Sequence, residues 1–253
     1  MITGMLIDLS GTLHIGDTAL PGAVDAVARL KKEGVPFRFV TNTSRKTRKM
    51  LHGDLLRLGF DVQAEQIFSA PLAVRRYLEA NRLRPYLLVH PDLVGEFAGL
   101  PAEDPDAVVV GFAQHAFTYA AMNRAFQLLL SGAPLLATGK TRYFEGPRGL
   151  ELDAGPFVAA LEYAAGTEAL VLGKPSSRFF LDAVEELGMR PEETLMVGDD
   201  VVSDVGAAMA AGLRGVLVQT GKYRSGDEAR IGGPEGVLVR DIGAAVEMVL
   251  AGK

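Results

Sequence analysis

Short apolar runs alternate along this chain with longer amphipathic stretches, and that alternation constrains the fold more than any other feature. MLIDL (5–9) reads as a strand, AVDAVARLKKEG (23–34) as a helix, and FRFV (37–40) as a second strand. A helix follows over about 45–58, stopped by Gly59, and another runs from Pro71 towards Asn81. The middle repeats this grammar with separate elements: strands YLLVH (86–90), AVVVG (107–111) and PLLAT (134–138), with a helix over 118–131 before the last. A Gly-rich stretch containing a hairpin (139–155) leads to a helix near 156–165. LVLG (170–173), a helix at 177–187, TLMVG (194–198), a helix at 201–211 and GVLVQ (215–219) then resume the first pattern, and a last helix lies near 242–250. Strands that alternate with helices pair in parallel, so the expected class is α/β.

In an open sheet of this kind, ligands bind beyond the carboxyl ends of the strands. Four polar pieces stand there in chain order: Asp8-x-Ser10-Gly11-Thr12 after MLIDL, Thr41-Asn42-Thr43 after FRFV, Gly173-Lys174-Pro175 after LVL, and Gly198-Asp199-Asp200-x-x-x-Asp204 after TLMV. Each alone has an ordinary explanation. An aspartate caps turns, a strand-end lysine is a solvated charge, and GDD is a surface turn. Four such pieces in one order are hard to assign to chance. Residues 8–12, 41–43, 174 and 198–204 are therefore expected to converge, with the middle segment an insertion that covers them.

Composition narrows the classes. The 253 residues are 48% hydrophobic and 23% charged, enough for a large core with a smaller companion. A net charge of -5 gives no broad attraction to nucleic acid or anionic lipid, so neither is expected as a partner. The absence of cysteine excludes disulfides, thiol nucleophiles and cysteine metal sites. No basic leader opens the chain and no apolar run is long enough for a bilayer, so the expectation is a soluble, cytoplasmic protein.

On these four motifs, and on the DLSGTLH opening, the RFVTN run and the TGKYR stretch (220–224), the chain resembles the haloacid dehalogenase superfamily. The likeness is to its subclass of phosphatases with an α/β cap between the second and third motifs, and within it to the branch acting on phospholysine, phosphohistidine and inorganic pyrophosphate. The resemblance implies a three-layer Rossmann-like core from residues 1–82 and 169–253 and an α/β cap over 83–168. It implies a Mg²⁺-dependent phosphatase in which Asp8 attacks phosphorus to give an aspartyl-phosphate. The catalytic set would be Asp8, Lys174 and Asp204, with Asp204 holding metal-bound water or orienting Lys174. Mg²⁺ would be held by the Asp8 carboxylate, the Ser10 carbonyl and the Asp199 carboxylate, with Asp200 a lesser contributor. Ser10, Thr41, Asn42 and Lys174 would bind the substrate, a small phosphorylated compound or a phosphorylated side chain. Gly11 would let the backbone approach closely and Thr12 brace the turn. Caps of related enzymes form dimer contacts, which makes a homodimer an expectation by analogy.

Ser10 stands where most phosphatases of this superfamily carry an aspartate that protonates the leaving group and then activates water. Three readings compete. The substrates need less help, as anhydrides or phosphoramidates would; or water or a cap group supplies the proton at reduced rate; or the protein binds phosphorylated ligands without turnover, as a silent regulatory module. A dehalogenase on the same fold is a further alternative, against which the Asp199/Asp204 pair argues.

Other signals have plain explanations. APLLATGKTR (133–142) lacks the glycine that a P-loop needs, because Pro134 occupies its place. Lys140, Arg142 and Tyr143 sit where the resemblance puts a specificity loop, though loop cations are commonly just solvated. Arg45-Lys46-x-Arg48-Lys49 reads as a solvated face or an anion seat. His14, His52, His90 and His115 lack metal-ligand spacing, and His14 either touches substrate or packs. The loop residues Tyr223 and Arg224 support the site or form a surface turn.

Overall fold

The computed structural model describes residues 2–146, 149–233 and 236–251. The chain divides into two compact units, the first Met1–Thr41, Lys49–Phe68 and Lys174–Lys253, the second Asn42–Arg48 and Ser69–Gly173. The sequence reading drew its divisions at 82/83 and 168/169. Among the described residues, no helix is long and apolar enough to cross a membrane.

The first unit is built on a six-stranded sheet in the order Gly236–Val239, Arg214–Val218, Thr194–Gly198, Gly4–Asp8, Phe37–Thr41, Ile67–Ser69. The first five run parallel to one another. Successive side chains of a strand point to opposite faces, and the sequence fills both faces with apolar groups. Met5, Ile7, Phe37, Phe39, Leu195 and Val197 pack with Ala26, Val27 and Leu30 of the helix Ala23–Lys32 and with Ala245, Val246 and Val249 of Ile242–Ala251. On the strands' other residues, Leu6, Met196 and Leu217 are equally buried. Phe179 of the helix Ser177–Leu187 meets Phe68 with ring centroids 5.1 Å apart. Burying a Phe or Leu side chain contributes roughly 1.5–3 kcal/mol, so these contacts hold the helices in place more than their intrinsic propensity does. Arg38 interrupts the apolar pattern of its strand; it pairs with Glu186 at 3.0 Å and donates to the Glu186 carbonyl at 2.9 Å. Helices on both faces of a parallel sheet make the three-layer core that the sequence implies.

The second unit has its own parallel sheet, ordered Leu170–Val171, Leu135–Ala137, Ala107–Val110, Pro85–Leu88. An antiparallel hairpin joins Tyr143–Gly146 to Gly149–Leu152, inside the stretch expected to contain one. Ala125 and Leu129 of the helix Tyr119–Leu130 and Val158 and Leu161 of Gly155–Ala165 close the core of this unit. The helix Ala70–Asn81 opens on Ser69, whose hydroxyl accepts the Leu72 N–H at 3.3 Å.

Four of these elements depart from the sequence reading. LVLG was expected to resume the pattern of the outer segments, but Leu170 and Val171 pair with Leu136 and Ala137 in the four-stranded sheet. The strands Ile67–Ser69 and Gly236–Val239 had not been expected. The helix expected over 201–211 begins as a π-helix, Val201–Gly206, and continues as α-helix only over Ala207–Ala210.

Candidate active site

In the six-stranded sheet the chain runs outward in sequence order from Gly4–Asp8 to one edge, and from Thr194–Gly198 to the other. The crevice beyond the carboxyl ends of these two adjacent strands is the topological switch point, where α/β sheets bind ligands. Ile7 lies opposite Val197, which puts Asp8 and Asp199 at the same end of the sheet. Asp8 lies opposite Val40, so Thr41 stands one residue beyond it on the other side.

Lys174 comes to this point from outside the sheet. Its Nζ donates to Asp8 Oδ1 at 2.5 Å and to Asp204 Oδ1 at 2.6 Å, with all three side chains buried. Asp204 accepts the Asp200 N–H on its second oxygen at 3.2 Å. Asp199 is 3% exposed, and its Oδ2 accepts the Lys222 N–H at 2.7 Å. Asp8, Asp199 and Asp204 each offer a carboxylate oxygen within 4.8 Å of the others.

Three acids and one ammonium in a buried space are electrostatically unbalanced, and this shifts their pKa values. Burial pushes Asp199 up to about 6, with the nearby Asp204 carboxylate adding to the effect and the Lys222 N–H opposing it. Burial likewise raises Asp204 to about 6 despite Lys174. Asp8 is raised by burial against the pull of Lys174. For Lys174 itself, burial alone would lower the ammonium, but Asp204 and Asp8 together outweigh it and hold it above its ordinary value. A bound cation is the natural relief for such a cluster. Hard carboxylate oxygens of this kind suit a cation such as Mg²⁺.

The remaining expected site residues have distinct surroundings. Ser10 is exposed, in the turn where the Gly11 N–H donates to the His14 carbonyl at 2.7 Å. Thr41 is buried at its strand end. Asn42 belongs to the second unit, where it borders the backbone of Gly173. Thr12 was expected to brace the turn, yet its buried hydroxyl has no hydrogen-bond partner. Asp200 caps the following π-helix, accepting from the Val202 and Ser203 N–H groups at 3.0 and 2.9 Å. Burial pushes Asp200 up, but those bonds together with the Lys222 ammonium hold it below the usual carboxylate range.

Lys222 is the contributor that sequence reasoning passed over. It was quoted within TGKYR, but its role rests on a loop that meets Asp199 only in the fold. Besides its N–H bond to Asp199, its Nζ lies 3.3 Å from Asp200 Oδ2. Tyr223 and Arg224 turn to local partners: the Tyr223 hydroxyl donates to Glu228 at 2.8 Å, and Arg224 to the Tyr223 carbonyl at 2.9 Å.

Residues singled out in the second unit are engaged there. Lys140 pairs with Glu162 at 2.8 Å. The Arg142 guanidinium lies 5.6 Å from the Tyr143 ring. Arg45 sits over Phe112 at 4.9 Å and Phe144 at 5.7 Å, a cation–π seat that the basic run did not foretell. The histidines bond backbone groups, His14 to the Gly16 carbonyl at 2.8 Å and His52 to the Val62 carbonyl at 2.9 Å. The His90 ring accepts the Asp92 N–H at 3.3 Å, and His115 is exposed.

Comparison with known proteins gives a consistent likeness. A family model described as haloacid dehalogenase-like hydrolase matches residues 5–100, and a second, HAD-hydrolase-like, matches residues 171–245. Human haloacid dehalogenase-like hydrolase domain-containing protein 2 is 46% identical over 249 residues, covering 98% of this chain and 96% of that protein. Human phospholysine phosphohistidine inorganic pyrophosphate phosphatase is 41% identical over 255 residues, covering 98% and 94%. Among solved structures, the 4-nitrophenylphosphatase of Thermotoga maritima aligns with a TM-score of 0.88 at 29% identity, over 98% of this chain and 97% of that one. The p-nitrophenyl phosphatase of Archaeoglobus fulgidus aligns at 0.90 and 28% identity, over 98% and 99%.

Proposed function

This chain belongs to the haloacid dehalogenase-like hydrolases and is a phosphatase of that family, and from this premise we propose that it works through Mg²⁺ and a covalent aspartyl-phosphate. The observation that carries the reading is Lys174, whose Nζ is held within 2.6 Å of Asp8 and Asp204 in a buried cluster that also contains Asp199.

Asp8 is the nucleophile. One of its carboxylate oxygens attacks phosphorus in line, the bond to the leaving group breaks, and phosphate is left esterified to Asp8. Water then attacks phosphorus, the bond to the Asp8 oxygen breaks, and inorganic phosphate departs. Lys174 balances charge as the phosphate arrives, acting as a point cation on its oxygens. Asp204, with one oxygen on Lys174 and the other on the Asp200 N–H, orients the ammonium. Asp8, the Ser10 carbonyl and Asp199 would hold Mg²⁺, which when bound would offset the repulsion between carboxylate and phosphate. Thr41 donates a hydrogen bond to the phosphate.

Ser10 decides the substrate class. Without a carboxylic acid in that position, leaving groups that need no proton from the enzyme are favoured, which selects anhydrides such as pyrophosphate, whose phosphate leaves as an anion, and phosphoramidates such as phosphohistidine and phospholysine, whose nitrogen takes its proton from solvent. The name of the human relative at 41% identity supports the same substrates. The test is phosphate release from pyrophosphate, a phosphoramidate and simple monoesters, with and without Mg²⁺, using Asp8→Asn as the blank. Faster release from the first two, dependent on Mg²⁺ and lost in the blank, is expected. No release from any of them would identify a phosphate-binding module without turnover.

A further inference from the structure

The strand Arg214–Val218 lies beside Thr194–Gly198, which in turn separates it from Gly4–Asp8. The loop that leaves Arg214–Val218 nevertheless reaches the nucleophile turn. Thr220 Oγ1 donates to the Gly11 carbonyl across 209 residues of sequence. To make that bond the loop arches over the end of Thr194–Gly198, where Asp199 lies. Two further bonds fasten it there, the Lys222 N–H to Asp199 at 2.7 Å and the Lys222 Nζ to Asp200 at 3.3 Å.

The backbone leaves no slack around Asp199. Gly11 and Gly221 have φ of +89° and +59°, and a Cβ on either would run into Asp199 Oδ2. Only glycine adopts these angles at no cost and also leaves room for the carboxylate. Asp199 Oδ2 is thus enclosed by two glycine backbones and one amide N–H. What Asp199 can offer a cation is its Oδ1 and the remaining lone pairs.

We infer that the Thr220-Gly221-Lys222 loop is a positioning clasp for the metal site, locking the Asp199 carboxylate in one orientation and tying it to the turn that carries Asp8 and Ser10. This rests on the reading of Asp8 and Asp199 as magnesium ligands and adds what aligns them. Groups that orient a metal ligand from behind typically contribute 10–100-fold to metal affinity. Each of the three residues acts through Asp199, Asp200 or Gly11.

The test is Mn²⁺ binding to the full chain, followed by the Mn²⁺ electron paramagnetic resonance signal and by calorimetry, in the wild type, Thr220→Val, Thr220→Ser and Lys222→Ala. The wild type is expected to bind, and Thr220→Val to bind about 10-fold more weakly or worse. Thr220→Ser, which keeps the hydroxyl, is expected to restore affinity. Lys222→Ala loses the bond to Asp200 together with an ammonium that acts on Asp199 and Asp8, and the loosened clasp is expected to outweigh the repulsion so relieved, leaving Mn²⁺ bound about 2- to 10-fold more weakly. Metal-free melting temperatures, measured in parallel, separate this role from plain packing. Unchanged Mn²⁺ affinity in Thr220→Val and Lys222→Ala, whatever their melting temperatures, would overturn the clasp while leaving the metal site intact. Should Thr220→Val not fold, unchanged affinity in Lys222→Ala overturns it. Absence of Mn²⁺ binding in the wild type would overturn the metal reading and the clasp with it.

Discussion

Lys174 Nζ stands 2.6 Å from Asp204 Oδ1, and the same ammonium is 2.5 Å from Asp8 Oδ1. Both carboxylates are buried with it, so neither can exchange its partner for water without moving. The lysine is therefore as much part of the core's electrostatic balance as of the site.

Replacing Lys174 by Met leaves two buried carboxylates facing each other. Breaking a buried ion pair by removing one partner costs about 3–5 kcal/mol. Denaturant unfolding of Lys174→Met in EDTA should show a loss of that size at pH 8 and a smaller one at pH 5, where the acids regain protons. Phosphate release should vanish. Equal stability at pH 8 would mean that the cluster is balanced by something other than this ammonium.

Asp199 and Asp204, raised to about 6 by burial from an ordinary value of 3.8, favour folding in their protonated form. Their contribution is fully present below about pH 4 and is lost as pH rises through about 6, because the folded state binds more protons than the unfolded chain in that window. Mg²⁺ binds the ionised carboxylates. Its stabilising effect should therefore be small at pH 5 and large at pH 7.5. Melting temperatures with Mg²⁺ and with EDTA at both pH values check this, and an equal shift at the two would contradict it.

Ser10 is exposed, so Ser10→Asp should change stability by no more than about 0.5 kcal/mol. A carboxylic acid there can serve the leaving group and then water, help typically worth ~10²–10⁴-fold. Turnover of 4-nitrophenyl phosphate and of alkyl phosphates should rise, most for the alkyl esters with their poorer leaving groups. The explanation of the serine fails if wild type is already fast on alkyl phosphates and the substitution changes nothing.

Gly198→Ala would drive a methyl group into the Asp204 side chain. Overpacking of this sort costs about 1–3 kcal/mol. It would also push Asp204 away from Lys174, so activity should fall by more than the stability loss accounts for. Comparing kcat at a temperature where both proteins are fully folded separates the two effects.

Much of the core was legible in the sequence because strand-length apolarity and helical periodicity are local properties. TLMVG coincides with the strand Thr194–Gly198, and MLIDL is offset from Gly4–Asp8 by one residue. Local patterning does not say which sheet a strand joins. Leu170–Val171 has the same apolar look as the core strands, yet its hydrogen bonds go to Leu135–Ala137. Gly236–Val239 had no helix pattern directly before it to mark it as part of the alternation. In the site, Asp8, Lys174, Asp199 and Asp204 were each marked by position after a strand. Lys222 was not, because its bond to Asp199 comes from the backbone N–H, which any residue but proline supplies.

The sequence by itself determined the class of fold, the strand ends at which charge accumulates, and the residue types that gather there, since these depend on spacing along the chain. Only the tertiary structure decided that one ammonium serves both Asp8 and Asp204, that Asp200 turns to cap a helix, and that the Thr220–Lys222 loop closes over Asp199. Those outcomes depend on strand order and on which buried groups must satisfy one another at distances near 3 Å, and neither is encoded in local pattern.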